Sequence, residues 1–131
     1  DQEYQEFGRP YDLRVLDAAK DAQLNTLHVC HSNNMLRSLV DYPHVHALNW
    51  DDRDATNPSL SDARALTSRA LLGGVSRDVL RRSSTPEAVA HQTQDAMRQT
   101  GGRGFMLGPS CSISPRCPEA NLRAMKEPLL G

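Results

Sequence analysis

The sequence predicts an α/β fold of the TIM, or (β/α)8, barrel class, with this chain supplying about the C-terminal half: four strand-helix units behind a leading helix. Three observations lead there. Short apolar runs alternate with helical patterns along the chain, which implies parallel strands joined by helical crossovers. The unusual residues His28, Cys30, Asn49, Asp51, Gly73, Gly74 and Cys111 all fall at the carboxyl ends of the strand-like runs, where such barrels gather their chemistry. A full barrel takes about 250 residues, and this chain has 131.

The elements follow in order. From Tyr4, the positions Phe7, Tyr11, Val15, Leu16 and Ala19 repeat at helical spacing, with Gly8 and Pro10 making the first turns irregular. Residues 25–30, Asn-Thr-Leu-His-Val-Cys, read as a strand, and 33–39 as a short helix. After the breaker Tyr42-Pro43, residues 45–50 read as a second strand. A polar loop over 51–58 leads to a helix over 61–69, with Ser59 or Ser61 available as its cap. Residues 70–75 form a third strand ending at glycines. The clearest helix has Thr85 as N-cap, Pro86 at its first position, Val89, Thr93, Ala96 and Met97 on one face, and Gly101-Gly102 as its stop. A strand over 104–107 follows. The last helix is expected to use Cys117 as its cap before Pro118-Glu119, with Leu122 and Met125 on its apolar face.

Residues 1–131 are therefore expected to form one unit whose N-terminal half-barrel is absent. The chain begins Asp1-Gln2-Glu3 without an initiator methionine, which suggests a fragment or processed product. The missing half, or self-association, is expected to cover the open strand edges, since unpaired edges invite pairing.

Composition narrows the function classes. A hydrophobic fraction of 38% with 24% charged residues and a formal charge of −1 is ordinary for a soluble domain and gives no sign of a nucleic-acid partner. Arg77, Arg81 and Arg82 cluster around Asp78 and read as a solvated helix face rather than a phosphate patch. With aromatic residues at 5%, the chain has too few for a base-stacking surface. No apolar stretch approaches the roughly 20 residues that span a bilayer, and no leader is evident, so no membrane partner and a cytoplasmic location are expected. Three widely spaced cysteines fit a reducing compartment better than a disulfide framework.

His28 and Cys30 sit two apart on a strand, so both side chains point to one side while Val29 faces away. Cys111 follows the apolar run 104–107 in the loop Leu107-Gly108-Pro109-Ser110-Cys111-Ser112-Ile113, and it joins them if the two strand ends lie close. One imidazole and two thiolates would hold Zn2+ with a fourth position open, the arrangement of a catalytic rather than a structural site. The alternative is that these are reduced cysteines packed as small hydrophobes. Asn49 and Asp51, at the next strand end, are placed to act as catalytic residues by orienting a substrate, or to support the histidine ligand; Asp51 reads equally as a loop carboxylate. Trp50 reads as core packing, His44 and His46 as structural residues at a strand start, and His91 as exposed on a helix.

The ordered series Leu27-His28-Val29-Cys30, Asp41-Tyr42-Pro43, Leu48-Asn49-Trp50-Asp51, Leu72-Gly73-Gly74-Val75, Thr85-Pro86-Glu87, Gly101-Gly102-Arg103-Gly104-Phe105, residues 107–113 and Asn121-Leu122-Arg123-Ala124-Met125 resembles the carboxyl-terminal half of the uroporphyrinogen decarboxylase (URO-D) superfamily. That superfamily includes decarboxylases and zinc methyltransferases that move a methyl group from a methylated corrinoid to a thiol such as coenzyme M. The resemblance to the methyltransferase branch implies His28, Cys30 and Cys111 as zinc ligands. It also implies a methylated corrinoid as donor, free or carried by a corrinoid protein, and a small thiol as acceptor. The decarboxylases usually carry a histidine in the final strand-end loop, where this chain has Pro109-Ser110-Cys111. Two further departures are His31, where glycine is common, and Cys117, where a threonine cap is common; Cys117 reads as structural. The alternatives are a metal-free decarboxylase-like enzyme and a non-catalytic piece of the barrel.

Overall fold

The computed structural model describes residues 2–129. Two short helices, α1 (Gln2–Phe7) and α2 (Arg9–Ala18), precede β1 (Thr26–Val29), α3 (Leu36–Leu39), β2 (Ala47–Trp50), α4 (Leu60–Leu66), β3 (Ala70–Val75), α5 (Pro86–Thr100), β4 (Phe105–Pro109) and α6 (Glu119–Lys126), with a final 3-10 turn at Glu127–Leu129. The strands form one sheet in the order β1-β2-β3-β4, and every pairing is parallel. Each strand returns through a helix, so all four carboxyl ends lie on one rim of the sheet.

Register and alternation divide the sheet into two faces. Leu48, Trp50 and Leu71 belong to the core with Leu36 and Leu39 of α3, Leu60 and Ala63 of α4, and Ala96 of α5. Leu27 and Val29 of β1 pack against the same cluster, as do Leu13 and Leu16 of α2. On the opposite face the register aligns His28 with Asn49, Asn49 with Leu72, and Leu72 with Met106. Trp50 is fully buried, and its indole N–H donates to the Pro58 carbonyl at 2.7 Å, as core packing requires. A second cluster joins Val75, Leu80, Val89 and Ala124, seating α6 beside α5.

The capping chemistry explains most boundaries. Ser59 and Asp62 form a reciprocal capping box at α4, Thr85 accepts from the Ala88 N–H at α5, and α5 ends at Gly101 with φ +61°. Several elements differ from expectation. The leading helix breaks at Gly8, giving α1 and α2. The helix expected over 33–39 is only Leu36–Leu39, because His31 and Asn33 take positive φ. β2 begins at Ala47, after His44 at φ +59°, which leaves His44 and His46 exposed ahead of the strand. At α6 the capping position is Pro118, without a side-chain cap. Leu122 is 40% exposed while Asn121 is buried, since Asn121 donates to the carbonyls of Val79, Arg81 and Ser84. Arg77, Arg81 and Arg82 lie on the β3–α5 loop, not on a helix.

Arg53 ties the β2–α4 loop to β3 and α5. Its guanidinium donates to the Gly74 carbonyl at 2.7 and 2.9 Å, to the Gln92 carbonyl at 2.9 Å and to Asp95 Oδ2 at 2.5 Å. Beside it, Asp52 Oδ1 accepts from the Gly74 N–H at 2.9 Å, and a Cβ on Gly73 would stand 2.6 Å from that oxygen, so position 73 must lack one. Burial raises the Asp52 carboxyl, against the pull of the Gly74 N–H and Arg53.

Two predictions follow from this packing. The Arg53 hydrogen bond is the main cause that holds the Asp95 carboxyl below its ordinary value. Its contribution to stability is complete above the unfolded carboxylate pKa of about 3.9 and disappears as pH falls through the lower folded value. Asp95→Ala should cost about 1.5–3 kcal/mol at pH 7 by urea unfolding, with the deficit shrinking below pH 4; an equal deficit at both pH values would contradict the assignment. His31, at φ +70°, holds a backbone conformation that costs an L-residue about 1–2 kcal/mol. His31→Gly should therefore raise stability by about 0.5–1 kcal/mol after glycine's own entropy cost, read as an increased Tm; a decrease would show that the imidazole makes a compensating contact.

Candidate functional site

The rim brings together the three residues expected to meet. Cys30 Sγ and Cys111 Sγ are 3.8 Å apart, and Cys111 Sγ is 3.6 Å from His28 Nε2. All three donor atoms lie within 4.8 Å of one another. Strand alternation places His28 and Cys30 on one side of β1, and β4 delivers Cys111 two residues past its end. All three cysteines are free thiols.

Both donor separations that include Cys111 fit a tetrahedral zinc ion, and the His28–Cys30 pair closes to within 4.8 Å. Ligands at 2.3 Å for sulfur and about 2.0–2.1 Å for nitrogen require S···S of about 3.8 Å and S···N of about 3.6 Å. The two contacts to Cys111 match both values, and three donors leave the fourth vertex open. Cys117 stands apart: its sulfur approaches the Pro118 carbonyl and packs on the second apolar cluster, where burial pushes its thiol up.

Asn49 sets the histidine. His28 Nδ1 lies 2.5 Å from Asn49 Oδ1. The Asn49 amide donates to the Leu72 carbonyl at 2.8 Å and the Pro109 carbonyl at 3.2 Å, which fixes its nitrogen toward β3 and β4 and its oxygen toward β1. An oxygen acceptor there requires a proton on Nδ1, so the neutral ring keeps the Nε2 lone pair, on the side of Cys111 Sγ, available to a metal. This is support of the ligand, one of the two roles expected for Asn49. Asp51 is turned otherwise: its Oδ1 accepts from the Arg53 N–H at 3.3 Å within its own loop, and among the described residues it makes no hydrogen bond to His28, Cys30 or Cys111.

The local field favours thiolate at Cys111. Burial pushes its thiol up, but hydrogen bonds with the Ser112 hydroxyl and backbone N–H, then with Cys30, outweigh it and bring the group down to about 7. Ser112 was not singled out in the sequence; adjacency to Cys111 was its only signal.

The loop after Cys30 is clipped to the loop after β2. Ser32 Oγ donates to Asp54 Oδ2 at 2.6 Å, the Asn33 N–H to Thr56 Oγ1 at 2.8 Å, and the Asn34 N–H to Asn57 Oδ1 at 3.0 Å. Asn57 Nδ2 returns to the His31 carbonyl at 3.0 Å. These bonds hold the backbone next to Cys30 in its left-handed turn. A cleft of about 390 Å³ opens beside the site along the edge of β1, with His28 and Cys30 at its wall and Val15 and Leu16 of α2 opposite.

Comparison with known proteins agrees with this architecture. A solved methyltransferase from Methanosarcina mazei superimposes with a TM-score of 0.79 at 18% sequence identity, covering 97% of this chain and 36% of that one. At that identity the likeness establishes the fold, a four-strand portion of a TIM barrel, and the chain spans little more than a third of that structure's length. No curated protein matches the chain. Residues 1–128 match the family model described as uroporphyrinogen decarboxylase (URO-D), and the chain belongs to that family.

Proposed function

We propose that this chain carries the metal-binding rim of a zinc-dependent methyltransferase of the URO-D superfamily, which transfers a methyl group from a methylated corrinoid to a small thiol. The single observation that carries the reading is the convergence of His28, Cys30 and Cys111 within 4.8 Å of one another, with both contacts to Cys111 Sγ at the separations of a tetrahedral zinc site. The superfamily's methyltransferase branch, which the His-x-Cys and distant Cys pattern resembles, and the fold shared with the Methanosarcina mazei methyltransferase support it.

His28, Cys30 and Cys111 would hold the ion, and zinc so bound supplies a Lewis-acid position that favours thiolate over thiol. Two cysteine thiolates offset its charge. Asn49 keeps the His28 proton on Nδ1, away from the site. In the transfer, the acceptor's sulfur forms the new S–C bond, the bond between methyl and corrinoid breaks with its electron pair left on the corrinoid, and the thiol proton goes to solvent. Exposure of His28 and Cys30 leaves room on the rim for donor and acceptor to approach. Paired thiolate donors need a reducing compartment, in keeping with a cytoplasmic location; among the described residues no helix is long and apolar enough to cross a membrane.

The sheet has β1 and β4 at its edges. We assign their covering to the other half of the barrel or to a second copy of this chain, because the carbonyls and N–H groups of a parallel sheet's edge otherwise remain unpaired. Turnover belongs to the completed assembly.

Metal analysis after purification in zinc should find one zinc per chain. Cys30→Ser and Cys111→Ser should each lose it, while Cys117→Ser keeps it. A chain that holds no zinc would favour the decarboxylase-like reading. Asn49→Ala should weaken zinc binding about 10- to 100-fold, measured by competition with a chromogenic chelator; unchanged affinity would remove Asn49 from its supporting role.

A further inference from the structure

The β3–α5 and β4–α6 loops enclose a second feature on the same rim. Arg81, Arg82, Ser83, Ser114 and Arg116 line an open cleft of about 540 Å³, and no carboxylate lines it. Arg81 is engaged by Asp78 at 2.8 Å in a solvent-exposed pair. Among the described residues neither Arg82 nor Arg116 is paired with an acidic side chain.

Both walls are held in place. Asn121, 1% exposed, donates to the carbonyls of Arg81 and Ser84 at 3.3 and 3.2 Å, and Leu80 is buried in the second apolar cluster. Across the cleft, the Arg116 N–H donates to Ser114 Oγ at 3.1 Å and the Cys117 N–H to the Ser114 carbonyl at 3.0 Å, closing a turn that presents Arg116. A buried side chain whose donors are spent on one loop's carbonyls is a means of shaping that loop. It fixes the backbone on either side of Arg82, whose side chain is exposed to the cleft.

We propose that this cleft binds the phosphate group of a small phosphorylated ligand. Guanidinium forks match phosphate oxygens in pairs, and the serine hydroxyls add neutral donors. The loops after adjacent strands at the carboxyl end of a (β/α)8 barrel are a recurrent place for phosphate. Ser114 is three residues from Cys111, so their backbones are at most about 11 Å apart. The inference needs no metal and stands apart from methyl transfer.

The test is an NMR titration of the 15N-labelled, metal-free chain at fixed ionic strength with inorganic phosphate, with glycerol phosphate, and with chloride as the reference anion. Saturable shifts confined to residues 81–85 and 113–117 are expected for the phosphates and not for chloride. Arg82→Ala and Arg116→Ala should each weaken binding about tenfold, with the lysine variants between them and the parent. Tighter binding of the ester assigns the site to part of a larger ligand, and tighter binding of inorganic phosphate assigns it to the free ion. Shifts that chloride reproduces, titrations that never saturate, or equal weakening by Arg103→Ala at the opposite end of the sheet would overturn the proposal. The rest of each spectrum reports whether the variant is folded.

Discussion

The Asn49 carboxamide joins all four strands through one side chain. Its oxygen takes His28 Nδ1 from β1, its nitrogen gives protons to carbonyls of β3 and β4, and its own backbone sits in β2. The contact depends on register: His28 faces Asn49 and Asn49 faces Leu72 in adjacent parallel ladders. A slip of one residue would turn Asn49 into the helix-covered core and release the imidazole. At 7% exposure the amide is also sheltered from water that would compete for these bonds.

From that constraint the chemistry of the rim follows. A histidine held by a neutral acceptor keeps one proton and one lone pair, and β1 and β4 carry two sulfurs to the same point from opposite edges of the sheet. The flanking loops are braced by different means: Asn57 and Asp54 hold the turn after Cys30, while Asn121 holds the loop after β3. Arg53 and Asp95 lock the β2–α4 loop to α5, away from the sulfurs.

Much of this was legible in the sequence where local rules act alone. β3 occupies residues 70–75 as expected because an apolar run stops at two glycines, and α5 is fixed by Thr85, Pro86 and Gly101. The meeting of His28 and Cys30 follows from strand alternation, and Asn49 beside His28 from parallel order. What the sequence concealed depends on partners distant in the chain. Asn121 was lost in a helix whose apolar face seemed set by Leu122, yet three loop carbonyls draw it inward. The arginines of residues 77–82 have helical spacing, but the carbonyls of Val79, Arg81 and Ser84 in this loop are bound by Asn121 of α6 instead. The short α3 and the positive φ of His31 come from hydrogen bonds to residues some two dozen positions later.

The account stands on one imidazole and two sulfurs sharing a single cation. X-ray absorption at the zinc edge of the reconstituted chain tests this directly. It should fit two sulfurs at about 2.3 Å and one nitrogen at about 2.0–2.1 Å with one further light ligand, and Cys111→Ser should reduce the sulfur count by one. A shell of nitrogen and oxygen alone, or a sulfur count indifferent to Cys111, would contradict the assignment.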